Sequence, residues 1–190
     1  WILQSNMQQS SFFGMLILIK HKGLNINQWN FLLCVLLITL LEEVVSLAHE
    51  VGHIYAAQKF GYKDINLVYT FTGYAVTFSV TLDSFENLAA ICVSSAGPIV
   101  SALLLIPLWF GLKMSSGIWK LGFLHALFTG FFGCVCPLFI PFCGDMRLLA
   151  HGVSKISGLG SNTIGSALLL IFYGCAFFFG RKLYREFELV

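Results

Sequence analysis

Charged side chains are scarce in this chain. Asp, Glu, Lys and Arg make up 11% of its 190 residues, whereas hydrophobic residues make up 57%. A soluble domain of this length needs far more polar surface. The mean hydropathy of +0.83 therefore indicates an integral, multi-pass membrane protein, although the sequence does not indicate which membrane.

Clustered positive charge is also lacking. The formal net charge is only +2, and no run of Lys and Arg alternates with aromatic residues. These features exclude nucleic acid as the expected partner and leave the lipid bilayer. The six cysteines lie mostly in apolar stretches without the spacing of a disulfide framework, so most are interpreted as small buried apolar residues.

The apolar segments predict an all-α polytopic membrane protein with about four transmembrane helices. The predicted spans are residues 28–60, 85–112, 119–140 and 164–180, with a Gly/Ser-rich loop at 151–163 before the last one.

We divide the chain into three parts. Residues 1–27 form an N-terminal segment whose short apolar run is either the end of a truncated helix or an interfacial segment. Residues 28–155 form the membrane core, which we expect to be the catalytic part because of the ionisable residues described below. Residues 156–190 form the final transmembrane helix and a basic tail.

One stretch differs from the helices around it. Residues 65–82 are rich in Val, Tyr, Phe and Thr, and their rough alternation breaks near Gly73. This pattern predicts a short β-hairpin. Because unpaired strand edges cannot face lipid, we expect the hairpin at the membrane surface.

The first span ends in a group of ionisable residues. His49 and His53 are four residues apart, so on a helix both imidazoles project from one face and could hold one zinc ion. Glu50 lies beside them and could take a proton from a water without ligating the metal. Each such group costs roughly 2.5–3.5 kcal/mol at mid-bilayer on the insertion scale. We therefore favour a metal site over a chance group of polar residues near a helix end.

A catalytic zinc site takes three protein ligands and a water. The candidates for the third ligand are Asp145, Cys143, Glu42 and a more distant His. Asp145 is favoured because it is the acidic residue beside a broken, re-entrant apolar segment, residues 137–145. A helix cap or a border charge is the competing interpretation of this Asp.

Three further polar residues fall within the spans. Glu42 and Glu43 lie on the His49 and Glu50 faces of the same predicted helix. One interpretation is that they form hydrogen bonds to the ligand side chains and orient them. The other is that this part of the helix lies outside the bilayer, where charged residues are ordinary. His125 is interpreted as a hydrogen-bonded packing residue.

Three motifs occur in the order of a known family. They are His49-Glu50-Val51-Gly52-His53 followed by Ala57, then Ala96-Gly97-Pro98, then a Pro-rich segment that ends in Gly144-Asp145. In this combination the chain resembles the site-2 protease family of intramembrane zinc metalloproteases. The resemblance covers about residues 30–150.

The resemblance implies roles for individual residues. His49, His53 and Asp145 would bind zinc, and Glu50 would act as the general base. The hairpin region, including Gly73, would pair with an unwound strand of a membrane-protein substrate that has a transmembrane helix. The implied reaction is peptide-bond hydrolysis within the membrane, as in regulated intramembrane proteolysis.

The chain departs from the family pattern at two places. Ser101 stands where the family often has Asn, so it is the candidate for a polar substrate contact. Met146 and Arg147 follow Asp145, where the family often has Gly.

Two further function classes stay open. A non-proteolytic polytopic membrane protein, such as a metal-dependent transporter or an inactive chaperone-like homologue, can also contain broken helices and intramembrane charges. Inverted repeats would favour a transporter, and we find none in the sequence. A zinc peptidase that cleaves outside the bilayer is the third class, and the hydropathy near His49 argues mildly against it.

Overall fold

The computed structural model describes residues 27–70, 73–78, 86–132 and 144–188. These residues are mostly helical. They form α1 (Gln28–Lys59), β1 (Ile65–Thr70), β2 (Gly73–Phe78), α2 (Asn87–Met114), α3 (Gly117–Gly130), α4 (Gly144–Ser157) and α5 (Ser161–Glu188). The prediction for residues 1–26 lies outside the described part of the chain.

Three of these helices, α1, α2 and α5, are long and apolar enough to cross a membrane. They coincide with the first, second and last predicted spans, and they are compatible with a multi-pass membrane protein. Within the described residues, α3 has 14 residues, so by itself it is shorter than a span. The rest of the third predicted span and most of the re-entrant segment, residues 133–143, lie outside the described ranges.

The predicted hairpin is present as a two-stranded antiparallel sheet of β1 and β2. The register pairs Thr70 with Gly73 and Leu67 with Val76. Of the two strands, β2 packs more closely on α1. The sheet therefore lies beside the helix that carries the His49 motif, and its expected location at a membrane surface stays a prediction.

The predicted loop at residues 151–163 is wrong except at residues 158–160. Helix α4 continues to Ser157, and only Gly158–Gly160 connect it to α5. The sequence was misleading because Gly152 allows close packing here: a Cβ at this position would lie 2.6 Å from the Asn87 carbonyl oxygen of α2. Leu148 and Leu149 are buried and give α4 its packed face.

Helices α1 and α2 form the centre of the bundle. One apolar cluster includes Val45, Leu105 and Leu127 from α1, α2 and α3. A second one includes Ala57, Val93 and Leu148 from α1, α2 and α4. The alanines of this second cluster, Ala57, Ala89 and Ala90, let the helix backbones approach closely.

A buried carboxylate attaches the end of α5 to the bundle. Glu186 is 7% exposed and accepts a hydrogen bond from Lys113 of α2. Lys120 Nζ of α3 lies 3.7 Å from the other carboxylate oxygen. Because burying an unpaired carboxylate is unfavourable, these lysines stabilise Glu186 inside the bundle.

Candidate metal centre

Two helices bring three candidate ligands together. His49 and His53 project from one face of α1, and Asp145 lies in the first turn of α4. The two imidazole Nε2 atoms are 3.0 Å apart. Asp145 Oδ2 lies 3.4 Å from His49 Nε2, and Oδ1 lies 3.4 Å from His53 Nε2. Among the described residues this group could hold a metal ion.

The opposite ring nitrogens have partners on α2. His53 Nδ1 lies 2.6 Å from the Val93 carbonyl oxygen, which can only accept a hydrogen bond, so Nδ1 carries the proton. His49 Nδ1 lies 3.1 Å from Ser101 Oγ, which can accept in the same way. These contacts leave both Nε2 lone pairs for a cation, as the outer partners of metal-binding histidines do.

Asp145 supplies the negative charge of the group. A carboxylate suits this position because each of its oxygens lies 3.4 Å from an imidazole Nε2 atom, where a bound cation would balance its charge. Its place in the first turn of α4 also favours the charged form. Asp145 is therefore placed to bind a cation through its carboxylate.

Two glycines allow the rings and helices to fit. A Cβ at Gly97 would overlap the His53 imidazole and lie 2.8 Å from the His49 carbonyl oxygen. A Cβ at Gly52 would lie 2.9 Å from the Ala96 carbonyl oxygen and 3.1 Å from Gly97 Cα. Gly52 and Gly97 therefore allow the backbones of α1 and α2 to approach closely beside the metal centre.

Glu50 contacts the sheet. Its Oε2 accepts a hydrogen bond of 2.9 Å from the Val76 amide of β2, and it interacts electrostatically with His49, His53 and Asp145. Glu50 thus lies between the outer edge of β2 and the candidate ligands. This position fits a group that acts on a bound molecule without ligating the metal.

The substrate contacts suggested for Gly73 and Ser101 stay predictions. Gly73 begins β2, opposite Thr70. Ser101 is fully buried, and its hydroxyl contacts Nδ1 of the candidate ligand His49. Glu42, a competing candidate for the third ligand, lies near His125 instead, with 3.2 Å between Glu42 Oε1 and His125 Nε2.

A more distant histidine does not complete the group within the described residues. His151 lines a cavity between α4 and α5 with Arg147 and Ser154. Cys143 lies outside the described residues. Glu43 is partly buried on α1, and its role as a supporting residue stays a prediction.

Two contacts of the centre could not be found from sequence. The Val93 carbonyl and the Val76 amide are backbone groups. Because every residue has a backbone carbonyl and every residue except proline has a backbone N–H, the residue type at these positions does not reveal the contacts. The sequence shows Ser101 as a polar residue on an apolar helix, but it does not show that its hydroxyl contacts His49. The sequence therefore indicated the residue without its contact.

No protein-family model, curated protein or solved structure matches this chain. A function is therefore inferred from the geometry of the metal centre.

The contact between Ser101 and His49 predicts a loss of metal affinity on removal of the hydroxyl. We expect Ser101→Ala to weaken metal binding about 10–100-fold, because the His49 ring loses its orienting partner. Metal titration of the purified protein measures this loss. Ser94→Ala is the matched control, since Ser94 is equally buried on α2 but bonds the Ile91 carbonyl of its own helix. Equal affinities for the two variants would contradict the assigned role.

Proposed function

We propose that this protein is an intramembrane zinc metalloprotease that resembles the site-2 protease family. The observation that carries the proposal is the convergence of His49, His53 and Asp145, with donor atoms 3.0–3.4 Å apart. A tetrahedral zinc site with bonds of 2.0–2.1 Å has edges of about 3.3–3.4 Å. The spacing and the two-imidazole, one-carboxylate donor set therefore fit zinc with one open position.

The centre lies within apolar surroundings. His49 and His53 are both buried on α1, a helix long and apolar enough to cross a membrane. Buried ionisable groups on such helices are costly and serve function by default. A substrate that reaches them would be a membrane-embedded segment, in keeping with the resemblance.

The proposed reaction assigns a task to each residue. When bound, zinc would polarise the scissile carbonyl and lower the pKa of a water. Glu50 takes the proton of the attacking water and passes it to the leaving amine. His49, His53 and Asp145 hold the metal, while Ser101 and the Val93 carbonyl orient the two rings.

The sheet has a part in the same proposal. A helical substrate keeps its carbonyls bonded internally, so it must unwind before one of its peptide bonds can be hydrolysed. The edge of β2 beside Glu50 offers backbone groups to an unwound strand. Substrates with helix-weakening residues near the cleaved bond should therefore react faster.

One observation favours a second candidate, a metal-dependent transporter or another non-proteolytic membrane protein. The partly buried Glu42 and His125 lie 3.2 Å apart between α1 and α3, and paired ionisable groups inside a bundle also mark ion pathways. A buried metal centre without hydrolysis would suit this candidate.

Metal removal tests the protease proposal. We expect the purified protein to contain one zinc per chain and to cleave a membrane-embedded substrate that has Gly and Pro in its helix. Chelation should abolish cleavage, and added zinc should restore it, because the reaction needs the metal as well as the base. Elemental analysis and gel-based cleavage in liposomes measure the two quantities. Retained zinc with no cleavage of any such substrate would favour the non-proteolytic candidate.

A further inference from the structure

The amide that holds Glu50 lies on the outer edge of β2. In the antiparallel register Val76 pairs with Leu67 of β1, and amides along a strand point alternately to its two edges. Because the Val76 amide donates to Glu50, it points away from β1 and toward the metal centre. The edge of the sheet and the candidate base therefore meet at one hydrogen bond.

An added strand requires this same amide. A peptide that extends a sheet bonds to the amides and carbonyls that point outward from the edge strand. The Val76 amide has a single hydrogen to donate. Docking of an extended peptide across Val76 and the contact with Glu50 therefore exclude each other.

The contact also restrains the position of Glu50. A carboxylate oxygen that accepts a hydrogen bond from the sheet is directed at the strand edge, so it is less available to a molecule at the open position of the metal centre. Removing one hydrogen bond to a charged group corresponds to about a tenfold to hundredfold change in an equilibrium constant. The effect is large enough to measure in binding or in rate.

We propose that the hydrogen bond between Val76 and Glu50 is a latch that an extended peptide opens. A peptide strand that docks along β2 takes the Val76 amide and releases Glu50 toward the metal centre. This inference rests on the proposed protease function and adds a control of its base: Glu50 stays bound to the sheet until an extended, strand-forming peptide arrives.

Peptide binding tests the latch without relying on cleavage. The probe is a fluorescent apolar peptide containing Gly and Pro, added to the zinc-loaded full chain in detergent micelles, with anisotropy read before turnover. Glu50→Ala leaves the Val76 amide free, so we expect it to bind the peptide about tenfold more tightly than the unaltered protein. The same peptide with methylated backbone nitrogens cannot pair as a strand and should bind both proteins equally. Equal affinities of the two proteins for the unmethylated peptide would overturn the latch.

Proline substitutions give a second test. Val76→Pro removes the donor at an outer strand edge, where proline is tolerated. We expect Val76→Pro to raise kcat/KM for the methylated peptide about tenfold, because Glu50 is released and this peptide does not pair with the strand in any case. For the unmethylated peptide kcat/KM should change little, because the release of Glu50 is offset by the loss of one hydrogen bond between the peptide and β2. Tyr74→Pro is the control. Tyr74 lies two residues before Val76 on β2, so proline there removes an amide from the same edge of the sheet, and it should not raise kcat/KM for either peptide.

Slower cleavage by the Val76→Pro protein would contradict the latch but not the protease proposal. If the Val76 bond merely orients Glu50, Val76→Pro will slow both peptides more than Tyr74→Pro does, which would overturn the latch while the protease proposal stands. If no form cleaves either peptide, the protease proposal fails. The binding comparison then still decides whether an extended peptide and Glu50 compete for Val76.

Discussion

Glu50→Gln is expected to lower cleavage of a membrane-embedded substrate by about 10²–10⁴-fold while zinc content stays near one per chain. Glutamine keeps the size of the side chain and retains an oxygen that can accept the bond from the Val76 amide. It removes only the ability to take a proton. Because Glu50 is one position past His49, about 100° around the helix, the change leaves the ligand face intact.

Two comparisons sharpen this prediction. His49→Ala should lose zinc and cleavage together, because it removes a ligand. Glu86→Gln is the control for loss of a carboxylate, since Glu86 is exposed at the start of α2 and should leave both quantities unchanged. Unaltered cleavage by the Glu50→Gln protein would refute the protease proposal as stated, because that proposal assigns the proton transfer to Glu50.

Several structural features could be predicted from sequence because they depend on local patterns. The apolar runs predicted α1, α2 and α5, and alternation with a break near Gly73 predicted the sheet. The four-residue spacing of His49 and His53 placed both rings on one helix face, since helical periodicity is local. Each of these features is determined by residues that are close together in the sequence.

The remaining features depend on contacts between distant segments. Nothing near Asp145 in the sequence measures its distance to His49, 96 residues earlier, and only the resemblance and its place beside an apolar segment favoured it. The extent of α4 was missed because Gly152 is equally compatible with a loop and with a close helix contact. The contact between the Ser101 hydroxyl of α2 and His49 joins residues 52 positions apart, so no local pattern reveals it.

The two glycines connect the sequence motifs to the packing of the bundle. Gly52 lies inside the His49 motif and Gly97 inside the Ala-Gly-Pro motif, and a side chain at either position would collide with the facing helix. The two motifs therefore describe one interface between α1 and α2. This interface brings Val93 and Ser101 to the outer nitrogens of the two rings.

The largest structural effect is expected for Gly97→Ala. The added methyl group would overlap the His53 ring and approach the His49 carbonyl oxygen to 2.8 Å, so the ring must rotate or α1 must move away from α2. Either movement breaks the bond from His53 to the Val93 carbonyl and misplaces its Nε2 atom. We expect zinc affinity to fall at least about tenfold and the free energy of unfolding to fall by about 1–3 kcal/mol, as overpacking does.

Gly180→Ala is the matched control for this substitution. Gly180 lies within α5, and no atom lies within 4 Å of the place that an added methyl group would take. Alanine there should preserve zinc affinity and raise helix stability by up to about 1 kcal/mol. Zinc titration and thermal unfolding in one detergent compare the two variants directly. A Gly97→Ala protein that retains normal zinc affinity would show that His53 does not need its observed position against α2, and the assignment of His53 as a ligand would then be wrong.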